Sequence, residues 1–328
     1  MKIIYLLSQE ERNTLKEFFE VLQRGVSISI QDNGRNGFRH LGIPVSGAMD
    51  KLAYQIGNLL IGNKLNAASI EIAIGGTVLK ALNRFSIVIT GGNLKPTING
   101  KLIEMNKIID IAKGEILTFN GGNTGVYSYI SIPGGIKSES HFESQSSYEP
   151  ASLGLIPKKG TIIYGSSTSY NLMKNGLKHK FIPIYQKHNL VRFIKSSHFE
   201  TIPHHIKSQI LSEPLTVGTF NRMGMYLSSK NANLEPFDSN ILSEGTTFGT
   251  IQLLPTGQPI ILLADSQTTG GYATLGTIIY SDLWKLVQMQ QGNTIQLIPV
   301  DVDEARLLNK KLHLFLNYLQ IECRNKER

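Results

Sequence analysis

The stretch from Ala68 to Ile132 admits few architectures. Four short apolar runs, "TVLKAL", "FSIVIT", "EILTF" and "VYSYISI", are punctuated by Gly91-Gly92, Asn99-Gly100, Gly121-Gly122 and Gly134-Gly135. Runs this short do not make buried helices, and the glycine pairs supply the positive φ that tight turns need. Their even spacing predicts a barrel or sandwich rather than a parallel sheet with crossover helices. The same pattern resumes at "LVRFI", "TIQLLP", "PIILLAD", "GTIIY" and "TIQLIPV".

Helical spacing interrupts this pattern in four places. Ser8 and Glu11 form a capping box ahead of Leu15, Phe18, Phe19 and Leu22, which predicts a helix over about 8–22. Leu52, Ile56, Leu59 and Leu60 share one face of a helix over 51–60, stopped by Gly62. Further helices are expected over 282–290 and over 303–319, the latter with Ala305, Leu308, Leu312, Phe315 and Leu319 on one face. Residues 138–188 are rich in Ser, Lys and His and poorly periodic. The expected organisation is a helical extension over 1–20, a first barrel unit over 21–165, a connection over 166–188, and a second barrel unit over 189–320 ending in a helix. An internal echo supports two related units. "GFRHLG" at 37–42 and "GYATLG" at 271–276 each follow a strand ending in Asp (Asp32, Asp265) and precede a helix start marked by Asp (Asp50, Asp282).

The composition narrows the function classes. At 41% hydrophobic and 18% charged the chain reads as globular. A net charge of +8 invites a nucleic-acid reading, but the basic residues are scattered, gathering only loosely at Lys174–Lys207 and in the tail Arg324–Arg328. No basic stretch alternates with aromatics and no recognition helix or finger pattern occurs, so no nucleic-acid partner is expected. A single cysteine, Cys323, excludes an internal disulfide or a cysteine-cluster metal site. The histidines of 179–205 lack an acidic third ligand at helical or hairpin spacing, so no metal is expected. Ile3–Leu7 is too short for a signal segment and no run reaches membrane length, so a cytoplasmic chain without membrane association is expected.

The chemistry concentrates in "LADSQTTGGYATLG", residues 263–276, directly after an apolar strand. Asp265, Gln267, Thr268, Thr269 and Tyr272 offer donors and acceptors, while Gly270 and Gly271 let a ligand approach the backbone. "GRNGFRHLG" places Arg35, Arg39 and His40 beside glycines, a pattern suited to a carboxylate or phosphate. Arg222 in "NRMGMYL" is a further anion clamp by composition, and Gln252 and Gln258 flank the apolar strands with uncharged amides. Amides, one carboxylate and arginines together suit a substrate that is itself an amide or carbamoyl compound. Neither a Walker A loop nor G-x-G-x-x-G occurs, and no G-x-S-x-G elbow supplies a triad nucleophile.

"GRNGFRHLGIPVSGAMDKLAYQIGNLLIGN", "AASIEIAIGG", "VITGG", "NRMGMYL", "SEGTTFGTIQLLPTGQPIILLADSQTTGGY" and "DLWKLVQMQQG" resemble the biotin-dependent carboxyltransferase family. That family, also called allophanate hydrolase subunit 2, includes the C-type subunit of bacterial 5-oxoprolinase and the KipA regulator. The resemblance runs from about Val21 to Arg306 and implies a mainly β, cyclophilin-like β-barrel architecture. Two departures stand out. Residues 1–18 precede the usual family start and read as an extension or an early start codon, and "ESQSS" at 143–147 carries Gln145 where the family commonly has an arginine. No biotinylation-type Met-Lys-Met occurs, so no covalent cofactor is expected.

The resemblance implies a non-biotinylated subunit of an ATP-dependent 5-oxoprolinase, a hydrolase complex that opens 5-oxoproline to L-glutamate. Its implied partners are a KipI-like protein (allophanate hydrolase subunit 1) and a LamB/YcsF-type subunit, with ATP used by the complex. Two alternatives stand beside it: a carboxyltransferase half-domain of a urea carboxylase or amidolyase, and a KipA-like regulatory protein acting with a KipI-like partner. The expected catalytic set is Asp265, Gln267 and Arg222. The expected substrate-binding set is Arg35, His40, Gln252, Gln258, Thr268, Thr269, Gly270, Gly271 and Tyr272.

Overall fold

The structure, a computed structural model, describes residues 15–166, 176–229 and 235–325. Their Cα atoms group into two compact units. Unit one holds residues up to 36, 46–184 and 316–328; unit two holds 37–45 and 185–315. The interval 37–45, inside the first half of the sequence, thus belongs to the second unit.

Unit one begins with β1 (Leu15–Gln23), β2 (Ser27–Gln31), β3 (Ser69–Ala73) and β4 (Thr77–Ala81). It continues with β5 (Phe85–Asn93), β6 (Pro96–Ile98), β7 (Lys101–Leu102) and β8 (Ile108–Ile111). β9 (Ile116–Phe119), β10 (Thr124–Ser131), β11 (Ile136–Lys137) and β12 (Ile162–Ser166) complete it. These strands make a seven-stranded sheet, β11-β12-β1-β4-β9-β6-β7, and a five-stranded sheet, β2-β3-β10-β5-β8. Both sheets feed one core, with Phe19, Leu79 and Phe119 from the first and Ile30, Ile70 and Ile89 from the second. Helix α1 (Lys51–Leu60) covers the other face of the second sheet, so all five residues of β3 are buried. A Cβ on Gly57 would meet Ser131 Oγ at 2.7 Å, so glycine sets how closely this helix lies on the sheet.

The segment from Leu15 to Leu22 is a strand, which corrects the helix expected over 8–22 and the extension expected over 1–20. β1 pairs with β12 on one side and β4 on the other, with register shifts at Glu17/Phe19 and Val21/Gln23. Such bulges put Phe18 and Phe19 inward in succession, which reads along the sequence as a helical stripe. The capping residues Ser8 and Glu11 lie outside the described residues.

Unit two contains β13 (His188–Lys195), β14 (Leu215–Phe220), β15 (Gly224–Ser229), β16 (Asn240–Gly245) and β17 (Thr250–Leu253). β18 (Pro259–Leu262), β19 (Thr269–Tyr272), β20 (Thr274–Ile278) and β21 (Thr294–Val300) follow. Seven of these strands close into a barrel, β13-β20-β17-β18-β15-β14-β21, sealed by the parallel pair β13–β21. Inward residues such as Phe193, Val217, Ile251, Ile261 and Leu275 are fully or almost fully buried. β16 and β19 form a separate two-stranded ribbon.

Three more helices are α2 (His204–Ser212), α3 (Tyr280–Val287) and α4 (Val302–Asn325). α2 has no counterpart among the expected helices; α3 and α4 occupy the two expected after residue 280. Among the described residues no helix is long and apolar enough to cross a membrane.

The echoed hexapeptides do not share a conformation. Arg39–Leu41 is a 3₁₀ turn with Leu41 59% exposed, whereas Leu275 lies in β20 at 0% exposure. The flanking aspartates differ too. Asp50 caps α1 by accepting from Ala53 N at 2.9 Å, while Asp282 lies inside α3 and accepts from Arg192 Nε at 2.8 Å. The hexapeptide echo is therefore not evidence of equivalent loops.

Candidate functional site

The site expected around 263–276 forms inside unit two, where β18 leaves the barrel wall. Leu262, Leu263 and Ala264 remain buried, so the chain cannot swing outward before Asp265. Asp265 then takes the Arg222 guanidinium bidentately, Nε to Oδ2 at 2.7 Å and Nη2 to Oδ1 at 3.0 Å. Asp265 N also donates to Arg222 O at 2.8 Å, so the pair is locked through backbone and side chain together. With both oxygens engaged, Asp265 orients Arg222, and Arg222 is committed to a carboxylate of its own chain.

Beyond Asp265 the loop is held at its carbonyls. Arg39, from the segment 37–45, donates through Nη2 to Thr268 O at 3.0 Å and also to Thr246 O. Burial lowers the pKa of its guanidinium from the ordinary arginine value. Thr246 N donates to Thr268 O at 3.0 Å, and Thr246 Oγ1 to Gln267 O at 2.8 Å. Gln267 Nε2 reaches Gln252 Oε1 at 3.4 Å. The loop then enters the ribbon, where Thr269 and Gly270 pair with Gly245 and Glu244, and Tyr272 with Asn240. His198 braces this ribbon, with Nε2 3.4 Å from Glu244 and Nδ1 3.1 Å from Thr274 Oγ1.

The structure therefore gathers Arg222, Gln252, Asp265, Gln267, Thr268 and Gly270, and places Thr269, Gly271 and Tyr272 on the adjoining ribbon. Three expected residues lie elsewhere. Arg35 belongs to unit one, where it is fully buried and donates to Ser146 O. Exposed His40 turns back on its own loop, Nδ1 3.0 Å from Gly37 O. Gln258 sits in the turn joining β17 to β18, at the opposite end of β18 from Asp265. Of the glycine pair, Gly270 is the close approach, since a Cβ there would overlap Gln252 Nε2. At Gly271 a Cβ would find Ser243 Oγ at an ordinary 3.4 Å.

Arg39 and Thr246 complete the arrangement. Arg39 is visible as one of three basic residues in a glycine loop, but nothing in that stretch says which one holds the carbonyls of the unit-two loop. Thr246 carries no sequence signal beyond its place in "SEGTTFGT".

Unit one offers a contrasting cavity of about 540 Å³ lined by residues including Arg24, Gly75 and Asn120. Arg24 is paired there with Glu149 at 2.6 Å, and none of the expected site residues lines the cavity.

The second unit is thus a barrel closed by one parallel pair, with a polar loop and ribbon beside its wall. Residues 41–299 match the model of the carboxyltransferase domain, subdomain A and B, and the chain belongs to that family. It is 31% identical to the C-type 5-oxoprolinase subunit of Haemophilus influenzae, over 92% of this chain and 97% of that protein. It is 27% identical to "urea amidolyase" of Lachancea kluyveri, over 89% of this chain and 17% of that protein. Among solved structures, TTHA0988 superposes with a TM-score of 0.78 at 25% identity, covering 86% of this chain and 56% of that one. Kluyveromyces lactis urea carboxylase superposes with a TM-score of 0.83 at 24% identity, covering 93% of this chain and 29% of that one. The last likeness concerns the fold.

Proposed function

We propose that this chain is the non-biotinylated, C-type subunit of a cytoplasmic, ATP-dependent 5-oxoprolinase that opens 5-oxoproline to L-glutamate. The observation that carries the reading is the near end-to-end match to a protein named as that subunit, 92% of this chain against 97% of the relative. The site chemistry agrees with it. The lactam ring of 5-oxoproline is a neutral, planar amide, which the amides and threonines of the unit-two loop suit, and its carboxylate calls for a cation. Arg222 is paired with Asp265, whereas Arg39 bonds only carbonyls and keeps its charge. Opening an unstrained amide demands that its oxygen be polarised as charge develops there. Gln252, Gln267 and Thr268 are the groups assigned to that end of the substrate, with Asp265 and Arg222 positioning the loop.

ATP chemistry and completion of the site fall to the assembled complex, with a KipI-like and a LamB/YcsF-type subunit as partners. Purified alone, the chain is expected to release no glutamate from 5-oxoproline and ATP; mixed with both partner types, it is expected to do so. Robust turnover by the isolated chain, or none by the complete mixture, overturns the reading. The amidolyase relative favours a second reading, carboxyl transfer to urea or a related amide. It predicts that the chain discharges carboxybiotin from a carrier supplied in trans.

A further inference from the structure

Gln252 is 1% exposed, and its Nε2 has no hydrogen-bond partner among the described residues. The other end of the same amide is engaged: Gln267 Nε2 donates to Gln252 Oε1, while Thr246 Oγ1 holds the backbone carbonyl of Gln267. Donation into Oε1 polarises the amide and makes its own N–H a stronger donor. Over that donor lies Gly270, whose missing side chain is what allows Nε2 to sit there. The donor is thus packed beneath the β16–β19 ribbon.

The ribbon stands apart from the barrel wall as a separate sheet. It has only two strands, the residues of β16 are mostly exposed, and Leu242 is 90% exposed. Space around Gly245 is open to 4 Å, and braces hold the ribbon and its approach, Arg39 on two carbonyls and His198 beside Glu244. A buried donor left unmet opposes the closed arrangement, and an oxygen delivered to it recovers the missing bond. The donor itself narrows which oxygen. Gln252 Nε2 is a neutral amide nitrogen, so a carboxylate brought to it would lose its hydration for one uncharged hydrogen bond.

We infer that Gln252 Nε2 is the recognition point for the carbonyl oxygen of a neutral amide or lactam, reached when the β16–β19 ribbon lifts. This deepens the lactam-opening reading and rests on it for the identity of the natural ligand.

The test uses the full chain labelled with ¹⁵N-glutamine, the Gln252 side-chain signals being those lost in Gln252→Leu. Titration with 2-pyrrolidinone or acetamide is expected to shift these signals progressively, and acetate to leave them in place. Gly270 lies outside the left-handed region, and its added Cβ would overlap Gln252 Nε2 and press on Gln252 Cδ and Thr246 Cγ2 at 3.1 Å. Gly270→Ala is therefore expected to displace the Gln252 amide and to bind 2-pyrrolidinone at least tenfold more weakly, its thermal melt and the dispersion of its amide spectrum reporting that the fold is kept. Gln252→Leu removes the unmet donor and is expected to melt about 2 °C higher while losing stabilisation by the probe.

Gln252 signals unmoved by either amide overturn the inference, as does full binding in Gly270→Ala. An equal shift with acetate overturns the neutral-carbonyl assignment. The two proposals separate cleanly. A complex that fails to open 5-oxoproline while the shift persists removes the reaction and leaves the site. Normal turnover in a Gly270→Ala complex removes the site and leaves the reaction.

Discussion

Asp32 in unit one and Asp265 in unit two each follow an apolar strand, and each is 7% exposed. Their surroundings differ. Asp32 accepts from Gly34 N at 2.8 Å, Ser144 Oγ at 2.6 Å, Gln145 N at 2.7 Å and Ser146 Oγ at 2.6 Å. All four donors are neutral, and they tie the strand end to the segment 144–146. Asp265 instead takes one guanidinium from Arg222. Gln145 Oε1 in turn accepts from Ser138 N at 2.7 Å. Among the described residues, unmet buried atoms occur beside both aspartates, Gln31 Oε1 and Ser46 Oγ near Asp32 and Gln252 Nε2 near Asp265. A buried aspartate or an unmet atom therefore does not by itself mark a site; the two loops differ in that neutral donors hold Asp32 while a guanidinium holds Asp265.

The sharpest break of this comparison comes from removing each carboxylate. Asp32→Ala strands four donors and is expected to cost about 4 kcal/mol by denaturant titration. Asp265→Ala leaves the mostly buried Arg222 without its carboxylate and is expected to cost about 3 kcal/mol. The difference lies in rescue. Arg222→Met combined with Asp265→Leu is expected to recover most of the stability, because an apolar pair can replace an ion pair. No single second substitution is expected to rescue Asp32→Ala, whose partners are spread over backbone and serines.

A smaller effect tests how the second loop is held. Arg39→Lys keeps the charge but loses the planar fork that spans two carbonyls, and is expected to cost about 1–2 kcal/mol. Amide exchange over 266–270 should quicken while unit one stays unchanged. Because the partners are carbonyls, the loss should hardly vary with salt. Equal quickening in both units would show that Arg39 does not act locally.

The smallest effect concerns Lys51, at the start of α1. Burial lowers its pKa, and the charge of Asp32 partly offsets this. The folded value lies below the unfolded one, so the folded state bears a penalty while lysine is charged. That penalty is relieved as pH rises from the folded value to about 10.4. Lys51→Met is expected to stabilise by on the order of 0.5 kcal/mol at neutral pH, with the gain vanishing near pH ~10.4. A gain independent of pH would assign it to packing rather than charge.

Much of this was legible residue by residue. Glycine pairs at short intervals permit little but turns between strands, and the apolar stripe behind Asp50 could only be a helix capped by that side chain. The polar loop after Ala264 was legible because so many donors beside two glycines have no use in an ordinary turn. The strand β1 was not, since Leu15, Phe18, Phe19 and Leu22 satisfy the helical period as well as a bulged strand does. Local spacing cannot choose between them; the partners β4 and β12, each far along the chain, do.

The same holds for the site. Sequence alone determined a mainly β chain, a polar loop after the strand ending at Ala264, and the family those residues resemble. Only the tertiary structure decided that Arg39 folds with the second unit and Arg35 with the first, that Gln258 lies at the far end of its strand, and that Gln252 is left with an open donor. Hydrogen-bond capacity belongs to a residue type, but whether it is spent depends on which distant groups the fold brings within about 3 Å, and no local pattern encodes that distance.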